Sequence, residues 1–250
     1  MQFNSIVLDK QKVIFKDLGI IPYKQAWDMQ EQLVKMNLEV KSNARKLHAV
    51  ESGNSDFSEE LPTHHYLLFC EHPPVYTLGK SGHISNVLMS EDEMEKREIE
   101  FFKTNRGGDI TFHGLEQIVG YPIFDLEKFY TDIGRYLRDL EEVIIRTIGE
   151  YGIIGERSPG ETGVWIAPGV EGEERKICAM GIRCSRWITM HGFALNVNTD
   201  LSYFKNIIPC GIVNKKVTSM ELELGKQVPL HDVKEKLKHH FEEVFKVEIS

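Results

Sequence analysis

Apolar positions along the chain fall into helical stripes at both ends and short strand-like runs between them. Ile133, Leu137, Leu140, Ile144 and Ile148 recur at spacings of four, three, four and four, which predicts a helix over about Leu126–Tyr151 with one apolar stripe. A last helix, about His231–Phe245, is expected after Pro229, with Val233, Leu237, Phe241 and Val244 on one side. An early helix is expected after Pro22, running through Trp27, Leu33 and Met36 to about Ala44. Strands are predicted at Ile6–Leu8, Val13–Asp17 and Tyr66–Cys70, the last stopped by His72-Pro73-Pro74. Phe101–Thr104 should feed a glycine turn that Ile118–Phe124 leaves, and Gly163–Ala167, Lys176–Arg183 and Thr189–Val197 read as three further strands. Glu91–Arg97 is too charged to be core, and Ser52–Pro62 reads as an exposed acidic loop. A strand-rich middle with flanking helices makes this an α/β (α+β) domain rather than a doubly wound nucleotide fold, with residues 1–250 as one unit.

Composition narrows the setting. No apolar run approaches the roughly 18 residues that cross a bilayer, and the first residues lack a basic segment followed by an apolar one, so a cytoplasmic location and no membrane partner are expected. Cys178 and Cys184 are six residues apart in one strand-like run, a separation of about 20 Å, so free thiols are expected rather than a disulfide. The pairs His64-His65 and His239-His240 lack helical metal-ligand spacing, and no metal is expected. A net charge of −8 argues against nucleic acid. The charge is uneven: from Arg175 to Lys216 stand Arg175, Lys176, Arg183, Arg186, Lys205, Lys215 and Lys216 against Asp200 alone, a local +6 that either steers an acidic protein partner or keeps loops soluble.

Candidate chemistry concentrates in Arg106-Gly107-Gly108-Asp109-Ile110-Thr111-Phe112-His113-Gly114 and in two later residues, Lys176 and Cys210. Glycines let backbone N–H groups approach a ligand closely, and successive N–H groups favour an anionic or oxyanionic guest. Cys210, in Pro-Cys-Gly, is either a nucleophile or a small buried residue; a nearby ammonium would favour its thiolate. Lys176 is that ammonium or a surface lysine, and only tertiary folding could join two residues 34 apart. His113 either serves a ligand or bonds a turn carbonyl, and His191 shares the ambiguity. Ala179, Gly181, Gly192 and Ala194 on two successive strands either leave room for an acyl chain or let elements pack closely.

Taken in order, Arg-Gly-Gly-x-x-Thr-aromatic-His-Gly, Lys-Ile-Cys-x-x-Gly, His-Gly-x-Ala-Leu-Asn-Val-Asn and Pro-Cys-Gly resemble the lipoyl(octanoyl) transferases of lipoate biosynthesis. Glu71-His72-Pro73-Pro74-Val75-Tyr76-Thr77 and Gly163-Val164-Trp165-Ile166 extend the likeness, which covers roughly Tyr66 to Ser219. The resemblance implies a mixed-sheet fold like the biotin/lipoate protein ligase catalytic domain. It implies octanoyl transfer from acyl carrier protein to a lysine of lipoyl domains, those of 2-oxoacid dehydrogenase complexes and the glycine cleavage H protein, with no cofactor. Cys210 would carry the acyl thioester and Lys176 would lower its pKa and act as acid and base. Arg106, Gly107, Gly108, Asp109, Ile110, Thr111, Phe112 and His113, with Ala179, Met180, Gly181, Gly192, Phe193 and Ala194, would line the octanoyl site. The chain departs from the family at Leu115-Glu116, where many members have Pro-Gly. The alternatives are an ATP-dependent lipoate- or biotin-type ligase, a cysteine thioesterase, or a carrier-binding module without turnover.

Overall fold

The computed structural model describes residues 10–51, 62–208 and 216–250, with the backbone alone for 45–51. In chain order the strands are β1 (Gln11–Ile20), β2 (His65–Glu71), β3 (Val75–Leu78), β4 (Glu100–Lys103), β5 (Ile110–His113), β6 (Gln117–Ile123), β7 (Glu156–Arg157), β8 (Val164–Ile166), β9 (Arg175–Ser185), β10 (Ile188–Asn196), β11 (Lys216–Val217) and β12 (Val247–Ile249). The helices are α1 (Tyr23–Glu51), α2 (Glu91–Lys96), α3 (Ile133–Gly149), α4 (Met220–Leu224) and α5 (Leu230–Phe245). The larger, mixed sheet runs β12-β1-β2-β6-β10-β9-β8-β7, with β11 parallel to β9; a smaller sheet runs β4-β3-β5.

Period-two alternation decides which helix covers which face of the large sheet. Leu67 and Phe69 of β2, Ile118 of β6, and Phe193 and Leu195 of β10 pack with Leu140 and Ile144 of α3 and Leu237 and Phe241 of α5. The intervening Tyr66, Leu68 and Cys70, Val119 and Tyr121, and Met190 and Ala194 pack with Ala26, Leu33 and Val34 of α1. Because both faces are covered, β2, β6 and β10 read as nearly unbroken apolar runs. The small sheet has its own apolar cluster around Tyr76, Leu78, Met94, Ile110 and Phe112.

Local signals adjust several expected boundaries. The long helix expected from Leu126 is divided: Leu126–Lys128 is a single 3-10 turn, and α3 starts at Ile133 because the Asp132 side chain accepts the Arg135 N–H as an N-cap. Ile133, at that first turn, is 40% exposed, and the buried stripe is carried by Tyr136, Leu140, Val143, Ile144, Thr147 and Ile148. Glu91–Lys96 is a short helix with a Ser90/Glu93 capping box, and it buries Met94. The expected strand Ile6–Leu8, Cys210, and all of the acidic loop except Pro62 lie outside the described residues.

The basic stretch is partly neutralised on folding. Arg175 pairs with Glu223 at 2.5 Å and Arg183 with Glu31 at 2.8 Å, so these two guanidinium groups contribute little outward field. Cys70, Cys178 and Cys184 are free thiols. Among the described residues no helix is long and apolar enough to cross a membrane.

Candidate active site

Two rungs of paired small residues open a trough in the large sheet. Ala179 of β9 lies opposite Ala194 of β10, and Gly181 lies opposite Gly192, so four neighbouring positions on one face carry a methyl group or nothing. The Arg106-Gly107-Gly108 turn, which enters β5 of the small sheet, packs over this trough. Gly107 N–H donates to the Ile182 carbonyl at 2.8 Å, and a Cβ on Gly181 would come within 2.7 Å of the Gly107 carbonyl oxygen. Gly181 is therefore required for the turn to sit this close. Gly108 has φ +85°, which glycine accepts without strain.

Between turn and sheet lies a cavity of about 620 Å³. Its lining includes Arg106, Gly107, Gly108, Asp109, Ile110, Thr111 and His113 from the turn and β5, and Ala179, Met180, Gly181, Gly192, Phe193 and Ala194 from the sheet. Lys176 lines the same cavity, its Nζ 4.5 Å from the centre of the Trp165 ring on the neighbouring strand. That cation–π contact, against an indole 1% exposed, holds the ammonium end at a defined place on the wall. The structure thus gathers thirteen of the fourteen expected lining residues and Lys176 around one space. Phe112 is the exception. Strand alternation turns it away from Thr111 and His113, and it stacks on Tyr203 at 4.5 Å inside the small-sheet core.

The polar wall is a buried network whose proton directions follow from its chemistry. Arg106, 8% exposed, donates through Nη2 to the Thr77 carbonyl at 2.6 Å and the Thr77 hydroxyl at 3.0 Å. Having accepted there, the Thr77 hydroxyl donates to His113 Nε2 at 3.3 Å. His113 Nδ1–H then donates to Gln117 Oε1 at 2.9 Å. Both ring nitrogens of His113 are engaged. Burial above all, then His72 and Arg106, keeps its pKa well below the usual imidazole range. His113 is therefore a neutral member of the framework rather than a proton donor to a ligand. Tyr23 stacks parallel to it at 6.0 Å, and burial raises the Tyr23 phenol to about 12. His72 is fixed in the same way: Nδ1–H donates to the Ile21 carbonyl, and Nε2 accepts from the Tyr121 hydroxyl, each at 2.7 Å.

A family model described as the lipoyl protein ligase A/B catalytic domain matches residues 22–242. The chain belongs to that family. It is 55% identical over 241 residues to an octanoyltransferase of Christiangramia forsetii, covering 96% of this chain and 98% of that one. It is also 55% identical over 231 residues to an octanoyltransferase of Flavobacterium psychrophilum, covering 92% and 95%. The fold matches a solved archaeal lipoylation system, a bi-partite lipoate protein ligase and its E2 lipoyl domain from Thermoplasma acidophilum. That match has TM-score 0.64 and 16% identity, covering 97% of this chain and 86% of that one. This member of the lipoyl ligase A/B family is an acyltransferase.

Several lining residues of this family member are absent from the expected set, among them Tyr23, Gln117, Val119, Tyr121 and Asn196. Four of them had a signal: Gln117, Val119 and Tyr121 alternate along β6, and Asn196 continues the Gly192–Ala194 parity along β10. Tyr23 had none, because its place depends on how the start of α1 meets the small sheet. The cluster of His239, His240 and Glu243 on α5 brings ligand atoms within 4.8 Å of one another, but none of the three lines the cavity.

Buried neutral histidines set an acid limit on stability. Burial lowers His65 and His72 to about 4 and His191 to about 3, and His113 shifts the same way. Each is neutral in the native state below the pH at which the unfolded chain, with an ordinary value of 6.5, takes up a proton. The unfolded state then binds more protons, so stability is full above pH 6.5 and is lost as pH falls towards 4. The slope should approach ~1.4 kcal/mol per pH unit for each histidine. Urea denaturation across that interval reads it, and a flat profile would contradict the assignment.

Proposed function

We propose that the chain, acting as one catalytic domain, moves an octanoyl group from an acyl carrier protein to a lysine of a lipoyl domain, holding it in between as a thioester on Cys210. The observation that carries this reading is a cavity shared by Lys176, the small-residue trough and the Arg106–His113 turn. An aliphatic tail suits the trough, where Ala179, Gly181, Gly192 and Ala194 leave space against an apolar sheet. Cys210 thiolate attacks the thioester carbonyl and expels the carrier thiolate, which takes a proton from Lys176. The neutral Lys176 amine then accepts a proton from the incoming lysine as that lysine attacks. The new amide C–N bond forms, the C–S bond breaks, and Cys210 leaves as thiolate beside a re-protonated Lys176. Thioester exchange is nearly balanced and amide formation runs downhill, so the cycle closes without ATP.

Lys205, Arg186 and Lys216 remain to attract acidic carrier and acceptor proteins once Arg175 and Arg183 are paired internally. The test is intact-mass analysis of the wild-type protein incubated with octanoyl carrier protein and no acceptor. One octanoyl group should appear, map to the Cys210 peptide, and leave when a lipoyl domain is added. An octanoylated lipoyl domain formed without any enzyme adduct would overturn the thioester step.

A further inference from the structure

The buried chain that begins at Arg106 does not end at His113. Gln117 Oε1 accepts from His113, and Gln117 Nε2 donates to Asn196 Oδ1 at 2.8 Å and to the Phe112 carbonyl at 3.2 Å. Asn196 Nδ2 in turn donates to the Thr218 carbonyl at 2.9 Å. Thr218 N–H donates to the Lys176 carbonyl at 3.0 Å, directly after the parallel pairing of Val217 with Lys176. As far as the Thr218 carbonyl every link runs in one direction, from a guanidinium that can only donate to a main-chain carbonyl that can only accept, and the N–H of the same residue makes the bond to Lys176. Gln117 is 1% exposed, Asn196 4% and Thr218 0%, so no link can be replaced by bulk water. Bonds aligned in this way polarise one another, and breaking one leaves two buried groups unsatisfied.

The place where the chain ends is informative. β11 is only two residues long, too short to hold its own register against β9. It is also the first described element after Cys210, which precedes Thr218 by eight positions in the sequence. We propose that Asn196, backed by Gln117, is a positioning residue. By clamping the Thr218 carbonyl it fixes the chain leaving the Cys210 segment against the main chain of Lys176, and so sets how the ammonium and the thiol meet. Asn196 acts through Thr218, whose N–H bonds the Lys176 carbonyl. The inference rests on the Cys210 thioester reading.

The test uses Asn196→Ala and the near-isosteric Asn196→Asp, which keeps an acceptor for Gln117 but loses the donor to Thr218, both in a Cys184→Ala background. Cys70 and Cys178 are buried, so iodoacetamide then reports on Cys210. The expected result is a kcat at least ~10-fold lower, as misplacement of reacting groups produces, with KM for octanoyl carrier protein within about twofold. The pH midpoint of Cys210 alkylation should rise by about one unit as the sulfur loses its fixed place beside the ammonium. A purely structural role would lower the melting temperature and leave that midpoint unmoved, and this outcome overturns the proposal. So does a wild-type kcat in a folded Asn196→Asp protein. If the Cys184→Ala parent itself forms no octanoyl adduct on Cys210, the thioester reading fails first; if the parent forms it and the Asn196 variants match the parent, only the positioning role fails.

Discussion

Replacing Cys210 by Ala should remove octanoyl transfer and the enzyme adduct together, while Lys176→Arg should separate the two half-reactions. Arginine keeps a cation near the Trp165 face and the carrier thiolate can leave unprotonated and take its proton from water, so acylation of Cys210 by the carrier thioester should fall by no more than about tenfold. It cannot give up a proton at accessible pH, so the incoming lysine has no base and the acyl-enzyme should accumulate. Lys176→Met removes both roles, and steady-state turnover should drop by roughly 10²–10⁴, the range that positioned proton transfer supplies. Quenched-flow measurement of adduct formation and decay distinguishes the three variants. Accumulation of octanoyl-enzyme in Lys176→Arg, against none in Cys210→Ala, is the expected signature. Equal decay rates in Lys176→Arg and wild type would assign the base to another residue.

How far this site could be read in advance depended on the kind of pattern each residue belongs to. Ala179, Gly181, Gly192 and Ala194 stood out because small residues on successive strands mark a cavity or a close contact, and cross-strand register makes them both. The strands themselves followed from unbroken apolar runs such as Tyr66–Cys70, which a sheet covered on both faces demands. Phe112 is absent from the cavity wall because the pleat turns it from Thr111 and His113 into the small-sheet core, which a motif does not show. The basic stretch presents less outward charge than its composition, because Arg175 and Arg183 find acids from α4 and α1, and such pairings are set by tertiary contacts. The break at Asp132 was legible in principle, since Asp before Ile-Gly-Arg is an N-cap signal, but the periodic stripe masked it. Gln117 and Asn196 are polar residues inside apolar strands, and their value became visible only when the chain of donors was followed across three strands.

Asp125→Ala should cost about 3–5 kcal/mol of folding stability, the range for breaking a buried ion pair from one side. Asp125 is 1% exposed and Lys41 8%, with Lys41 Nζ 2.7 Å from Asp125 Oδ1. The same ammonium donates to the Arg186 carbonyl at 2.9 Å in the turn between β9 and β10, and lies 2.8 Å from Glu127. Asp125 also accepts from the Thr63 hydroxyl and the Glu127 N–H. One carboxylate thus ties α1, the entry to β2, the exit from β6 and the β9–β10 turn. Removing it strands a buried ammonium and a hydroxyl; Glu127, 38% exposed, offsets part of the charge, which favours the lower end of the range. A Lys41→Met/Asp125→Leu double variant should recover most of the loss, because an apolar pair needs no desolvation of charge. Urea midpoints at constant m-value measure both. Additive losses in the double variant would show that Lys41 and Asp125 are uncoupled, each held by its other partners, and would overturn the assignment of the loss to a broken pair.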